Sequence, residues 1–298
     1  MTDLDAAQRF VWLHARLIDR HRFAHLFGDA GAESVARTLR AYRNDDGGFG
    51  HALEPDLRTP TSQPAAGQHA LEMLAESGAL DDPMARGACD FLESISQPDG
   101  GVPFVLPAAM EHPRAPWWQP SEESSLIQTA ANAAVLLEAG FDHPWLDGAT
   151  AFCWSRVADL RFDSAYDAKY AVAFLDAVPD ADRAEAELDR IRHRLVDSGL
   201  VALDPGGAGG TFTPLDYSPW PGGRSRRLFE PDVIESALDA LAAGQQDDGG
   251  WTFAWPAWAP AAVHEWRGWI TVHALKLLRA NGRLPAVATA GPARSTGR

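Results

Sequence analysis

Five short stretches of the chain set carboxylates, aromatic rings and arginines close together, in patterns that could move protons or hold a ligand. The first is Glu54-Pro55-Asp56-Leu57-Arg58, an acidic loop that could hold a proton, a substrate hydroxyl or a metal, or cap a helix starting near Gln63. The second is Trp117-Trp118, between Glu111-His112 and Glu122-Glu123. The third is Asp163-x-x-Tyr166-Asp167, whose two aspartates are four apart and so share one helical face. Two carboxylates in an apolar cavity cannot both ionise cheaply; one pKa rises, leaving a proton donor beside a carboxylate. Aromatic faces can then stabilise a cationic intermediate. The plainer alternative is that Asp163 caps the helix and Asp167 meets an arginine. The fourth stretch is Asp216-Tyr217 with Trp220, and the fifth runs from Trp255 and Trp258 to His264-Glu265-Trp266-Arg267. Glu265 either works in a site or serves a capping box.

From these the candidate catalytic groups are Asp167, Asp163, Glu54, Asp56 and Glu265. The candidate substrate-binding groups are Trp117, Trp118, Tyr166, Asp216, Tyr217, Trp220, Trp255, Trp266, Arg58 and Arg267. The chain has 11 tryptophans, several in proline-containing loops, more than an Ala- and Leu-rich core needs for packing. Arg58, Arg224, Arg226, Arg227 and Arg267 could meet an anionic group together with helix N-termini, although solvated surface arginine is the commoner fate. No cofactor or metal ligand set is expected.

The elements that must position these groups are helical. Asp46-Gly47-Gly48-Phe49 recurs as Asp99-Gly100-Gly101-Val102 and Asp248-Gly249-Gly250-Trp251, with starts 53 and then 149 residues apart. A period of about 50 predicts two decayed copies, near Asp147-Gly148 and Asp197-Ser198-Gly199. Each clear copy follows an amphipathic helix, such as Val35, Leu39 and Tyr42 before Gly47. A second set, including 65–74, 126–137, 166–178 and 269–278, is apolar on most faces and reads as buried. Inner helices are expected near 5–26, 63–78, 122–139, 163–178 and 264–281, and outer ones near 31–43, 83–96, 143–158, 181–197 and 232–245. The expected fold is all-α, a single α/α barrel of about five to six helical hairpins over residues 1–284. One inner helix is replaced by the Gly/Pro-rich segment near 199–229, and 285–298 form a disordered tail.

The second repeat, with Arg86-Gly87, Phe91-Leu92, Gln97, Asp99-Gly100-Gly101 and Phe104, resembles the QW motif of squalene-hopene and related class II terpene cyclases. Gln245-Gln246-Asp247-Asp248-Gly249-Gly250-Trp251 resembles its second half, and Arg43-Asn44-Asp45-Asp46-Gly47-Gly48-Phe49 is a weaker copy. The wider resemblance is to the superfamily those cyclases share with protein prenyltransferase β subunits. It implies an α/α toroid whose cavity lies at the N-terminal ends of the inner helices. The family's Asp-x-Asp-Asp acid and Asp-x-Cys zinc ligands are absent. The helix Trp269–His273 is similar to the His-bearing zinc helix but puts Ile270 at the ligand position, so His273 is expected to be structural.

The net charge of −15 argues against nucleic acid, which needs a basic patch. No apolar run reaches the roughly 18–20 residues of a membrane span. An acidic start without a signal-peptide pattern, and two cysteines in no ligand spacing, make the cytoplasm the expected location. Three functions stay open. One is an isoprenoid-handling, proton-initiated, metal-independent cyclase-like enzyme with an apolar substrate. Another is a carbohydrate-active α/α-barrel lyase, hydrolase or epimerase, and the third is a non-catalytic binding or scaffold barrel. A homodimer is compatible with any of them. An apolar, deep cavity would favour isoprenoids, a wet one glycans, and a filled barrel a scaffold.

Overall fold

The computed structural model describes residues 2–203 and 212–284, and the regular structure in these residues is all helical. In order come α1 (Leu4–His14), α2 (Leu17–Phe27), α3 (Ala32–Leu39), α4 (Pro64–Glu76), α5 (Pro83–Ser94) and α6 (Leu126–Glu138). Then follow α7 (Trp145–Ala158), α8 (Ala165–Ala177), α9 (Ala181–Asp197), α10 (Pro214–Tyr217), α11 (Pro231–Ala243) and α12 (Pro260–Ala280). Start signals explain most of these boundaries. Proline opens α4, α5, α11 and α12, where its missing N–H costs nothing. Asp82, Ser125, Ser164 and Asp180 accept first-turn N–H groups through their side chains. The tail expected at 285–298, and residues 204–211 of the Gly/Pro-rich segment, lie outside the described residues. No helix among the described residues is long and apolar enough to cross a membrane. Cys89 and Cys153 are both free and buried, and burial pushes the Cys89 thiol up to about 12.

The three Asp-Gly-Gly turns are the joints of the fold. Gly47, Gly100 and Gly249 have φ of +88°, +88° and +91°, a region that glycine enters without a steric penalty. Asp46 accepts the Gly48 N–H at 3.0 Å and the Ser62 hydroxyl at 2.6 Å. Asp99 does the same for Gly101 at 3.1 Å and Ser124 at 2.5 Å. Asp248 accepts the Gly250 N–H and takes Arg267 bidentately, at 2.7 and 2.8 Å. Each turn lies flush against the next outer helix. A Cβ on Gly47 would stand 2.5 Å from the Gly87 carbonyl of α5; on Gly100 it would strike the Gly148 carbonyl of α7, and on Gly249 the Ala6 carbonyl of α1. Gly48, Gly101 and Gly250 lie under the rings of Phe91, Phe152 and Phe10. A receiving motif, a small residue then Phe four positions later, is thus written in Gly87…Phe91, Gly148…Phe152 and Ala6…Phe10. Asp147-Gly148 is therefore not a decayed turn but a landing surface inside α7. Asp197-Ser198-Gly199 does end a helix, α9, with Gly199 at φ +72°.

The third turn meets α1. Gln245 exchanges two hydrogen bonds with the Asp3 backbone, both 2.8 Å. Of the helices expected to be inner, α2 packs on α12, α4 on α6 and α6 on α8, and Arg22 of α2 pairs with Glu76 of α4 at 2.7 Å. Residues 218–228, which close in a short 3-10 helix (Arg224–Leu228), tie the end of α8 to the end of α12. Arg224 donates to the carbonyls of Leu175, Asp176 and Val178, each at 2.9 Å, and Arg226 donates to Asn281.

The stretch 5–26, expected as one inner helix, is instead two: α1 lies outside under the third turn and α2 inside. No glycine or proline marks the break. Ala15 and Arg16 turn extended because α12 comes so close there that a Cβ on Gly268 would stand 2.7 Å from that of Ala15. Arg16 also leaves the helical path to bond Asp19 at 2.8 Å and the Leu53 carbonyl at 2.9 Å.

The turn packing makes a prediction. Gly100→Ala should cost about 2–4 kcal/mol in urea unfolding, combining left-handed strain with overpacking against α7. Gly140→Ala, at φ +64° with open space around it, should lose only the strain, about 1 kcal/mol. Equal losses would show that the turn does not bear on α7.

Candidate active site

Side chains of α2, α4, α8 and α12 meet one another. Gln68 of α4 donates to the Tyr170 hydroxyl of α8 at 3.2 Å, across α6. Lys276 of α12 lies 3.4 Å from Glu76 of α4, and Arg22 of α2 sits 5.8 Å over the Trp269 ring of α12. Burial would raise the Glu76 carboxyl, but Arg22 and Lys276 overcome it and hold it down at about 2. His273, stacked on Trp269, is kept neutral by burial and by Lys276, Lys169 and Arg22. Glu72, Lys169 and Lys276 still keep 33%, 28% and 29% of their side-chain surface exposed, so this interior admits water.

Near the N-terminal ends of α4 and α12, the loop 50–58 brings two carboxylates together. His51 and Ala52 have φ of +55° and +60°, a conformation costing a non-glycine residue roughly 1–2 kcal/mol. The loop is held there from outside: His51 donates to the Thr59 carbonyl, Arg16 to that of Leu53, and the Ala115 N–H to that of Asp56 at 2.8 Å. The result buries Glu54 and Asp56, which are 3% and 4% exposed.

Glu54 accepts the Asp56 N–H at 3.0 Å on one oxygen and faces His69 Nε2 at 2.7 Å with the other. A carboxylate can only accept, so Nε2 carries a proton toward Glu54, and in the neutral tautomer Nδ1 is left as an acceptor. That Nδ1 is buried without a partner, and Glu72 stands 3.8 Å away. Burial first, and Glu54 second, raise the Asp56 carboxyl from 3.8 to about 6, against the pull of the Trp266 and Trp258 indole groups. Neither indole nitrogen reaches full hydrogen-bonding geometry with an acceptor, nor does that of Trp118. Trp266 meets Trp255, Trp269 and His69 edge-on at 5.2, 5.8 and 6.0 Å, while Trp118 stacks on Phe104 at 4.9 Å and shares an apolar cluster with Leu57 and Trp258.

Of the residues singled out in the sequence, Glu54, Asp56, Arg58, Glu265, Trp118 and Trp266 come together here. Glu265 is neither a cap nor free: Arg58 holds it bidentately at 2.7 and 3.1 Å, tying α12 to the loop. Trp255, Trp117 and Tyr166 are 36%, 43% and 50% exposed. Asp216 accompanies Lys169 at 3.8 Å. Asp163 is exposed and Asp167 half-buried, and Ser164 rather than Asp163 caps α8. Tyr217 is core, 1% exposed, with its hydroxyl donating to Leu200. Trp220 lies under Lys276, and Arg267 is locked onto Asp248. His69, Glu72 and Gln68 were not singled out, although polar residues at these positions interrupt the apolar run of 65–74.

Among the described residues, Asp90, Glu93 and His143 bring potential metal-ligand atoms within 4.8 Å. The Trp145 N–H donates to His143 Nδ1, however, so the neutral ring carries its proton on Nε2 and donates it to Asp90 at 3.0 Å. No lone pair is left for a metal in this arrangement, which instead clasps the start of α7. A cleft of about 490 Å3 lined by Arg43, Asp82, Arg86, Asp90 and Phe141 shares no residue with the Glu54–His69 cluster.

The Asp56 environment fixes the sign of a pH effect. Its folded-state pKa lies above the unfolded value, so stability is full below pH 3.8 and falls as pH rises through about 6. Asp56→Asn removes the penalty. It should stabilise the fold at pH 8 by up to about 3 kcal/mol and leave it unchanged near pH 4. An Asn variant no more stable at pH 8 would show that Asp56 ionises freely.

No protein-family model matches the chain, and no curated protein does. A crystal structure of a protein from Actinoplanes is similar over 94% of this chain and 99% of its own, at 18% identity and a TM-score of 0.55. At that identity the likeness shows a shared helical fold.

Proposed function

We propose that the chain is an acid–base enzyme acting on a hydroxylated, saccharide-like small molecule, with His69 as general base and Asp56 as general acid. The observation that carries this reading is the partnerless His69 Nδ1, fixed by Glu54, beside the raised Asp56 carboxyl. Glu54 holds the imidazole in the tautomer that leaves Nδ1 free to take a proton from a substrate or water. Asp56, about half protonated at pH 6, returns one to a departing or enolic oxygen. Tryptophan faces suit the apolar side of a sugar ring, and the partly exposed Glu72, Lys169 and Lys276 are hydrogen-bond partners for its hydroxyls. Two buried, unpaired thiols accord with a reducing, cytoplasmic setting.

The charged lining is what favours a hydroxylated guest over a hydrocarbon. An isoprenoid filling this space would strip water from Glu72, Lys169 and Lys276, at several kcal/mol for each charge left poorly paired. The resemblance of the turns to the QW motif supports a ring-shaped helical fold, and a fold does not carry its chemistry with it.

Oligosaccharides, prenyl diphosphates and squalene should be compared by thermal stabilisation, followed by product analysis. A saccharide is expected to stabilise the protein and be turned over. Asp56→Asn and His69→Gln should each lower kcat by about 10²–10⁴. Stabilisation and turnover of a prenyl compound alone would overturn the reading in favour of the isoprenoid cyclase, and silence throughout would favour a scaffold.

A further inference from the structure

Matching each charged group around the site to its partner leaves two carboxylates over. Glu265 belongs to Arg58, Asp216 lies by Lys169, and Glu54 bonds His69. Asp56 has no lysine or arginine within 4.0 Å among the described residues, nor has Glu72. Lys169 acts on Glu72 only at longer range, its ammonium lying over the rings of Phe212 and Tyr170 at 4.7 and 5.7 Å. One Glu72 oxygen accepts from Gln68 at 2.9 Å. The other faces His69 Nδ1 across 3.8 Å, too far for a bond.

That gap is flanked by two acceptors and no donor. His69 is 6% exposed and its Nδ1 is unpartnered, which a buried polar atom rarely is unless water or a ligand serves it. Trp266 and Trp269 meet the His69 ring edge-on at 6.0 and 5.8 Å. A group able to serve both acceptors must donate hydrogen bonds and gains most if it is positive, and an ammonium does both. The remaining charged groups around this space, Glu54, Asp56, Glu265 and Asp216 with Glu72 itself, against Arg58, Lys169 and Lys276, leave it more acidic than basic.

Resting on the saccharide reading above, we infer that the substrate is an amino sugar or a similar hydroxylated amine. Its ammonium sits on Glu72 and a neighbouring hydroxyl on His69 Nδ1. The same carboxylates turn away uronates and phosphates by like-charge repulsion.

The test is calorimetric titration of the wild-type protein at pH 7 with glucosamine oligomers, N-acetylglucosamine oligomers, cello-oligosaccharides and oligogalacturonate of equal length. The glucosamine oligomer should bind at least about tenfold tighter than either neutral oligomer, and the uronate should not bind. Glu72→Gln should remove the tenfold preference while neutral binding persists; that persistence also shows the variant is folded. Equal affinity for aminated and neutral oligomers would overturn the charge preference and leave the saccharide reading standing. Failure of every saccharide to bind would overturn both, and a wild-type preference unchanged in Glu72→Gln would overturn the assignment of Glu72.

Discussion

The fold depends on the approach of three glycine turns to within backbone contact of the next outer helix. Because no side chain fits between Gly47 and Gly87, Gly100 and Gly148, or Gly249 and Ala6, the spacing of the outer layer is set by bare backbone. The inner helices inherit that spacing. Each turn also opens into a loop that contributes to one place: residues 50–58 bring Glu54 and Asp56, residues 102–125 bring Trp118, and residues 251–259 bring Trp255 and Trp258. The turns that hold the layers together thus also position the loops of the candidate site.

Beneath the loops, Arg16, Asp19, Arg22, Glu76 and Lys276 run as a chain of opposite charges from α2 through α4 to α12. Such a chain contributes modest net stability, since desolvation offsets most of the attraction, but its geometry is demanding. It fixes Arg16, which in turn holds the Leu53 carbonyl and the strained pair His51-Ala52. The site concentrates unfavourable features: left-handed non-glycine backbone, a carboxyl raised by burial, and indole nitrogens without acceptors. Clustering of this kind is common where function opposes stability.

The helical class, the joints and much of the site could be read from the residues, because each rests on local rules. Helical periodicity and Gly-rich stops need no tertiary knowledge, and Glu54 and Asp56 stood out in an acidic loop after such a stop, Glu265 and Trp266 at the start of a buried helix. The pair Asp163 and Asp167 had the same spacing, but α8 begins only at Ala165, so Asp163 lies exposed before the helix and shares no helical face with the half-buried Asp167. The break between α1 and α2 was invisible because contacts with Gly268, Asp19 and Leu53 impose it, with no breaker in the sequence. His69 was hidden for a related reason: its partner Glu54 is 15 residues away in a loop whose path periodicity does not predict.

The meeting of Gln245 with Asp3 has a consequence for how the molecule forms. The apolar face of α1, with Ala7, Phe10 and Val11, is covered by Trp251 and by α12 residues such as Val272 and Leu275, some 240 residues further along the chain. During synthesis α1 therefore emerges before the elements that cover it, and its packing is completed only when residues 245–280 arrive. Contacts of such long sequence separation are closed late and at high entropic cost, so closure of this seam is set to limit the folding rate. Until then a chaperone, or another unfinished chain, can occupy the face that the third turn will later cover.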